Sequence, residues 1–197
     1  MPKGIPLTEE EQNRRRREIF GTAVHLFLEK GFNETSMREI AEAAGVGKST
    51  LYDYFPTKDD ILLSMVENEL RDLTIKAEAI ASQPIDTVEK FKQITFGYLE
   101  YLASNEDFYM KLSLEVQRLA QTSLARIQVQ RHAYQNVIRN VIEAGIQEGR
   151  FRPTDSLLAA RIFITALSPA VYTTRPSGSR EKMMAAAVDL LLHGLQA

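Results

Sequence analysis

The sequence predicts an all-α protein of about nine helices, with an N-terminal three-helix head and a C-terminal helical bundle. Apolar residues recur at helical spacing along most of the 197 residues. Alanine, leucine, glutamate and arginine are abundant, and all four favour helix. The chain has no cysteine, which excludes disulfides and thiolate metal sites, and its three histidines have no metal-ligand spacing.

The first three helices are predicted from local capping and turn signals. Thr8 with Glu11, and Ser36 with Glu39, have the spacing of capping boxes, so each pair marks the beginning of a helix. Gly45 stands where the chain must turn between helices 2 and 3, because glycine adopts positive φ without steric cost. These helices are predicted over about residues 8–30, 36–44 and 48–55.

The remaining six helices are predicted from apolar periodicity and from the residues that interrupt it. Asn105 is expected to cap helix 6, and Gly149 is expected to end helix 7. Pro169 lies inside the apolar pattern of helix 8 and should kink or end that helix. Helices 4 to 7 and helix 9 are predicted over about residues 57–81, 86–103, 105–120, 123–148 and 179–194, and helix 8 is predicted to begin at residues 153–155.

Residues 36–55 have the pattern of a helix-turn-helix motif. Ile40, Ala41 and Leu51 are small or apolar where two crossing helices must touch. Lys48 and several hydroxyl-bearing side chains follow the turn, and such donors suit phosphate oxygens. Helix 3 is therefore predicted to be the helix that lies on DNA.

The same segment contains part of a phosphate-binding P-loop pattern, Gly47-Lys48-Ser49. A P-loop has a further glycine five residues before the second one, and this chain has Glu42 at that position. The preceding residues are helical in pattern, whereas a P-loop follows a strand. An NTPase that uses Lys48 is therefore disfavoured, and a helical adaptor that binds protein rather than DNA is the other alternative.

The run of residues 17–62 resembles the TetR family of transcriptional regulators along its whole length. The matching segments are Leu26–Phe32, Thr35–Ala41, Ala44–Val46, Ser49–Tyr52, Tyr54–Phe55 and Lys58. The family usually carries serine where this chain has Gly47, which offers neither a side-chain cap nor a phosphate donor. The resemblance implies a DNA-binding, ligand-responsive repressor that a small molecule releases from its operator. It implies neither an enzyme nor a cofactor.

The resemblance also implies a domain division and a set of DNA contacts. Residues 9–74 are expected to bind DNA, and residues 75–197 to bind a ligand and to dimerise. The expected DNA-binding residues are Thr35, Ser36, Arg38, Lys48, Ser49, Thr50, Tyr52, Tyr54 and Lys58. Among them, phosphate contacts are expected from Lys48, Thr50, Tyr54 and Lys58, and base contacts from Arg38, Ser49 and Tyr52. Residues 1–60 carry nine basic and eleven acidic side chains, so they have no net positive charge. A DNA-binding surface can be basic only if the basic side chains cluster on one face and the acidic ones point away from it.

A candidate ligand pocket is indicated by a carboxylate on an apolar helix face. Glu115 shares the predicted inner stripe of helix 6 with Phe108 and Leu112. It is either the counter-ion for a cationic or hydrogen-bonding effector, or the structural partner of Arg131 on helix 7. The candidate ligand-binding residues are Phe96, Tyr101, Phe108, Glu115, Arg131 and Tyr134.

Helices 8 and 9 are apolar on more than one side, which predicts a partner chain. In TetR-like proteins the last two helices pair with those of a second copy, so we expect a homodimer on a near-palindromic operator. No apolar run approaches the roughly 18 residues that a membrane span needs. The first residues form no apolar signal segment, so a cytoplasmic location is expected.

Overall fold

A computed structural model describes residues 8–196, and this part of the chain forms nine α-helices and one short 3-10 turn at Ser168–Ala170. The expected all-α fold is confirmed. The helices are α1 Glu9–Lys30, α2 Met37–Ala43, α3 Lys48–Tyr54, α4 Lys58–Ala81, α5 Thr87–Ser104, α6 Glu106–Gln117, α7 Gln121–Gln147, α8 Ser156–Ala166 and α9 Arg180–Leu195. Within residues 8–196, no helix combines the length and the apolar character needed to cross a membrane.

The predicted caps of the first two helices are present. Thr8 and Glu11 form a capping box at the start of α1, and Ser36 and Glu39 form one at the start of α2. α3 begins after Gly47 without a side-chain capping hydrogen bond, because glycine has no side chain. Local sequence therefore determines where the helices of the head begin.

Two details of the helix boundaries differ from the sequence-based expectations. The Asn105 amide donates to the Tyr101 carbonyl at 2.9 Å, so this side chain closes the end of α5 instead of capping α6. The same Tyr101 carbonyl also accepts the Asn105 backbone amide at 3.0 Å, so both donors of Asn105 serve the end of α5. α6 ends at Gln117, three residues before the predicted end. Helix α8 ends before Pro169, as predicted.

The described residues divide into two compact units. The first unit holds the described residues up to Val66 together with Met110–Leu124. Its apolar core contains Ile19 and Phe27 from α1, Ile40 from α2 and Leu51 from α3, all fully buried. The three helices of the head are thus held together by side chains spaced at helical periodicity.

The second unit holds Glu67–Tyr109 and the described residues from Ala125 onward. Phe91 packs edge-on against Phe151 at 5.6 Å and against Phe163 at 5.4 Å between ring centroids. These rings are almost fully buried at the centre of a core that α4, α5, α7, α8 and α9 all supply. The domain boundary between residues 74 and 75 stays a prediction.

Candidate nucleic-acid interface and effector-binding region

The turn between α2 and α3 has the geometry that its sequence requires. Gly45 has a φ of 64°, and its amide donates to the Glu42 carbonyl at 3.2 Å. The next amide, from Val46, donates to the Ala41 carbonyl at 3.0 Å. The positive φ makes glycine the favoured residue here, because an L side chain at Gly45 would be strained.

The packing of α3 against the head fixes which of its side chains reach solvent. Leu51 is fully buried, so the residues on the opposite side of α3 point outward. Lys48, Ser49 and Tyr52 are exposed. The Lys48 ammonium lies 5.9 Å from the centre of the Tyr52 ring. Thr50 and Tyr54 are partly buried at the edges of this exposed face, which carries an ammonium and several hydroxyl donors.

Arg38 lies on α2 with part of its guanidinium already engaged. Its Nε donates to a Glu42 carboxylate oxygen at 2.7 Å, one helical turn further along. Both side chains are mostly exposed. The contact occupies Nε only, so the two terminal amino groups of Arg38 are left for another acceptor. Two such amino groups side by side can donate to the two major-groove acceptors of guanine.

Ser36 and Glu39 hold the first turn of α2 through a network of hydrogen bonds. The Ser36 backbone amide and its hydroxyl both donate to one Glu39 oxygen at 2.8 Å. Lys30 lies 3.3 Å from the other oxygen of the same carboxylate. The Ser36 hydrogen bonds, with a smaller contribution from Lys30, lower the pKa of Glu39 to about 2.

Two of the expected DNA-binding residues are occupied within the head. The Thr35 side chain is 1% exposed, and its hydroxyl donates to the Gly31 carbonyl at 2.7 Å. This burial fits a structural role better than a phosphate contact by the hydroxyl. The Lys58 ammonium donates to the Phe32 carbonyl at 2.6 Å and lies 4.6 Å from the centre of the Phe32 ring.

Glu115 has other partners than the Arg131 that its apolar stripe suggested. Asn33 donates to the Glu115 carboxylate at 2.9 Å, and Arg118 donates to it at 3.2 Å. Arg118 lies just beyond the end of α6 at Gln117, and Asn33 follows α1, so the first unit itself supplies both partners. Arg131 is exposed on α7, in the second unit. The expected Glu115–Arg131 pair is therefore replaced by a local network, in which the Glu115 side chain is 15% exposed.

The other candidate ligand residues belong to the second unit, where tyrosines form an aromatic cluster. The ring of Tyr98 lies 5.7 Å from Tyr134, 6.2 Å from Tyr101 and 6.0 Å from Phe163. Burial raises the pKa of Tyr98 to about 12, and it also raises the pKa values of Tyr101 and Tyr134. All three hydroxyls are therefore neutral donors at physiological pH. Phe96 is 40% exposed and Phe108 is partly buried.

A cavity of about 310 Å³ lies elsewhere in the second unit, among α4, α5 and α7. Its polar lining includes Glu78, Lys90 and Asn140, and its apolar lining includes Val137 and Val141. None of the six candidate ligand residues lines this cavity. It carries no feature that the sequence indicated as a ligand site.

One ion pair of the second unit was not indicated by the sequence. The Arg126 guanidinium donates twice to the Glu67 carboxylate, at 2.9 and 2.8 Å, and so joins α7 to α4. Glu67 is only 9% exposed. The residues stand 59 positions apart, so no local pattern in the sequence could have paired them.

The fold and the exposed donors of α3 define a helix-turn-helix DNA-binding protein. A family model described as bacterial regulatory proteins of the tetR family matches residues 19–65. A second, described as the tetracyclin repressor-like C-terminal domain, matches residues 84–195. The chain therefore belongs to the TetR family of transcriptional regulators.

Individual relatives extend over most of the chain. The HTH-type transcriptional repressor KstR2 of Rhodococcus jostii is 28% identical over 170 residues, covering 84% of this chain and 82% of its own. The structure of FadR from Bacillus subtilis with stearoyl-CoA has a TM-score of 0.77 at 22% identity, covering 90% of this chain and 98% of that one. AibR, solved with isovaleryl coenzyme A and operator DNA, has a TM-score of 0.71 at 21% identity, with the same two coverages.

Membership of this family decides between the classes that the sequence left open. The protein is a ligand-responsive, DNA-binding repressor, and its relatives are transcriptional regulators rather than enzymes. The partial P-loop pattern at Gly47-Lys48-Ser49 follows the helix α2 and a turn instead of a strand. The NTPase and adaptor alternatives are therefore rejected.

Proposed function

We propose that this protein is a homodimeric repressor of a near-palindromic operator, and that a coenzyme A thioester is the effector that releases it. The observation that carries the effector class is the tyrosine-rich core of the second unit, with the exposed cation of Arg131 on the same helix as Tyr134. An acyl chain needs an apolar interior, and coenzyme A adds phosphates that a guanidinium binds well. The coenzyme A complexes of FadR and AibR support the same class.

On DNA, the exposed face of α3 is proposed to lie in the major groove. Lys48, Thr50 and Tyr54 would bind phosphates, and Ser49 and Tyr52 would reach base edges. Arg38 would bind a guanine from α2, because its two terminal amino groups remain free beside Glu42. Ser36 would add a phosphate contact at the exposed start of α2, and Lys58 would join only by leaving the Phe32 carbonyl.

The dimer is proposed to form through α8 and α9. Leu158 and Ile162 on α8 are about half exposed, at 51% and 50%, and Leu190 on α9 is 75% exposed. Exposed apolar side chains at helical spacing favour association with a second copy. A two-fold dimer presents two recognition helices, and these need a separation of about 34–36 Å, or a multiple, to enter successive turns of the major groove.

Effector binding is proposed to act by favouring a state with a different separation of the two recognition helices. The effector must then have unequal affinities for the DNA-bound and released states. Helix α4 supplies residues to both units, since the division falls between Val66 and Glu67. A tilt of this helix is the proposed link between ligand and DNA. Because both partners occur inside the cell, we propose a cytoplasmic location.

The effector proposal is tested by release from a known operator duplex. An operator is first obtained by selection from random duplexes, and the labelled duplex with bound protein is titrated with acyl-CoA thioesters of increasing chain length. Thioesters should lower the anisotropy of the duplex, whereas free coenzyme A at the same concentrations should not. Operator binding that persists at saturating concentrations of every thioester would reject this effector class while leaving DNA binding established.

A further inference from the structure

We propose that the hydroxyl of Tyr134 donates a hydrogen bond to the effector, and that its acceptor is an uncharged carbonyl oxygen, the thioester carbonyl of an acyl-CoA. This inference rests on the effector class proposed above. It adds the protein atom that recognises the thioester, the Tyr134 Oη. By this contact the protein would distinguish a thioester from a ligand that has the acyl chain but no carbonyl.

The first observation is a hydroxyl that is buried and unpaired. Tyr134 is 2% exposed, and its Oη has no hydrogen-bond partner. Throughout residues 8–196 this is the only buried side-chain nitrogen or oxygen in that condition. A buried donor without an acceptor destabilises the folded state, and phenylalanine would fill the same space without that loss. A hydroxyl kept at this position is therefore explained by an acceptor that arrives with a ligand.

Neighbouring tyrosines show that the surrounding core can satisfy a hydroxyl where one is needed for structure. The Tyr172 hydroxyl donates to the Leu102 carbonyl at 2.8 Å. The Tyr98 hydroxyl donates to the Ile164 carbonyl at 3.3 Å. Both acceptors are backbone carbonyls, which are the usual partners of buried tyrosines. Tyr134 differs from these two tyrosines in having no such carbonyl within reach.

Tyr98 lies beside Tyr134 in the aromatic cluster. The ring of Tyr98 lies 5.7 Å away at an interplanar angle of 33°, so the two rings are tilted rather than stacked. An acyl group would enter by separating these rings, and its chain would continue among the apolar side chains of the core. The effector thus needs an apolar body with one acceptor oxygen near its polar end.

The burial of Tyr134 favours a neutral carbonyl over a free carboxylate as its acceptor. Arg131 precedes Tyr134 by one helical turn, and its positive charge acts on the hydroxyls of Tyr98 and Tyr101. A carboxylate brought to the buried Tyr134 hydroxyl would lose its hydration, whereas a thioester carbonyl carries no charge. Arg131 remains available for the phosphates of coenzyme A.

The test compares two ligands that differ in one oxygen atom. Palmitoyl-CoA carries the thioester carbonyl, and S-hexadecyl-CoA is a thioether with the same chain and no carbonyl. Binding of both is measured by calorimetry to the wild-type protein, to Tyr134→Phe and to Tyr172→Phe. Tyr172→Phe is the matched control, since it removes a hydroxyl that has a partner in the protein.

The wild-type protein should bind the thioester about tenfold more tightly than the thioether, the ratio expected for one hydrogen bond to a buried donor. Tyr134→Phe should bind both with the affinity that the wild type has for the thioether, and Tyr172→Phe should keep the wild-type ratio. Without ligand, Tyr134→Phe should melt at or above the wild-type temperature, and Tyr172→Phe should melt below it.

A failure of the role proposed for Tyr134 can be distinguished from a failure of the proposed effector class. Equal affinities of the wild type for the two ligands, or an unchanged ratio in Tyr134→Phe, would overturn the role of Tyr134 and leave the effector class standing. A lowered melting temperature of unliganded Tyr134→Phe would overturn it as well, because the hydroxyl would then have a partner within the protein. A wild type that binds neither ligand, nor shorter-chain thioesters, would reject the effector class and this inference together.

Discussion

Arg126 on α7 and Glu67 on α4 are joined by two hydrogen bonds, of 2.9 and 2.8 Å, in a fork-to-fork arrangement. The Glu67 side chain is 11% exposed and that of Arg126 is 61% exposed, so the carboxylate depends on this partner more than the guanidinium does. The pair fixes α7 against the part of α4 that begins the second unit.

Removing the Arg126 guanidinium should therefore destabilise the protein more than the exposure of the Arg126 side chain suggests. Arg126→Met should lower the free energy of unfolding by about 1–3 kcal/mol, because it leaves a nearly buried carboxylate without its donor. Arg139→Met, at an exposed arginine of the same helix, should change it by less than about 0.5 kcal/mol. Adding Glu67→Met to Arg126→Met should recover part of the loss in urea denaturation, and a further loss would contradict this explanation.

The DNA contacts of α3 are tested through the salt dependence of binding. Lys48→Ala should weaken binding to all duplexes alike and should reduce the slope of log affinity against log salt by about 1 unit. Lys92→Ala, at an exposed lysine of α5, is the matched control and should leave the slope unchanged. An unaltered affinity and slope in Lys48→Ala would remove this lysine from the phosphate contacts.

The dimer surface is tested at an apolar side chain that is exposed in the single chain. Leu190→Asp should yield folded monomers, because the side chain is 75% exposed in one chain but would be buried in the dimer. Val129→Asp on α7 has a similar exposure of 64% and should leave the dimer intact. Sedimentation at micromolar concentration distinguishes these outcomes. A monomeric wild-type protein would refute both the dimer and the palindromic operator.

The cap of α2 should make the head sensitive to acid. The pKa of Glu39 is about 2 in the folded protein, below its ordinary value of 4.5, so its ionised form stabilises the fold. This contribution is complete above pH 4.5 and is lost as the pH falls towards 2. The difference in melting temperature between the wild type and Glu39→Gln should therefore shrink over that interval. A difference that is constant from pH 5 to pH 2 would show that the carboxylate is not held by Ser36.

Much of the fold could be predicted because its determinants are local. Thr8 with Glu11, and Ser36 with Glu39, are three residues apart, so a capping box can be recognised in the sequence and is found in the structure. The positive φ of Gly45 follows from the need for a tight turn in the same way. The role of Asn105 differs from the predicted one because it lies between two helices, where one side chain can serve either helix end.

The candidate sites were less accessible to prediction, because their partners are distant in sequence. Asn33 lies 82 positions from Glu115, and Arg126 lies 59 positions from Glu67. A helical stripe placed Glu115 on an inner face but could not identify what it meets. The unpaired state of the Tyr134 hydroxyl is likewise a property of packing, since its position on the apolar stripe of α7 is that of any core residue.

Selection of bound duplexes from a random pool tests the central conclusion most directly, namely that two copies of this chain recognise one operator through α3. The selected sequences should converge on an inverted repeat, with half-site centres about 10 base pairs or a multiple apart. A complex with the selected duplex should contain an even number of protein chains. A pool that shows no sequence enrichment after repeated rounds, or one that converges on a single unrepeated site bound by one chain, would contradict it.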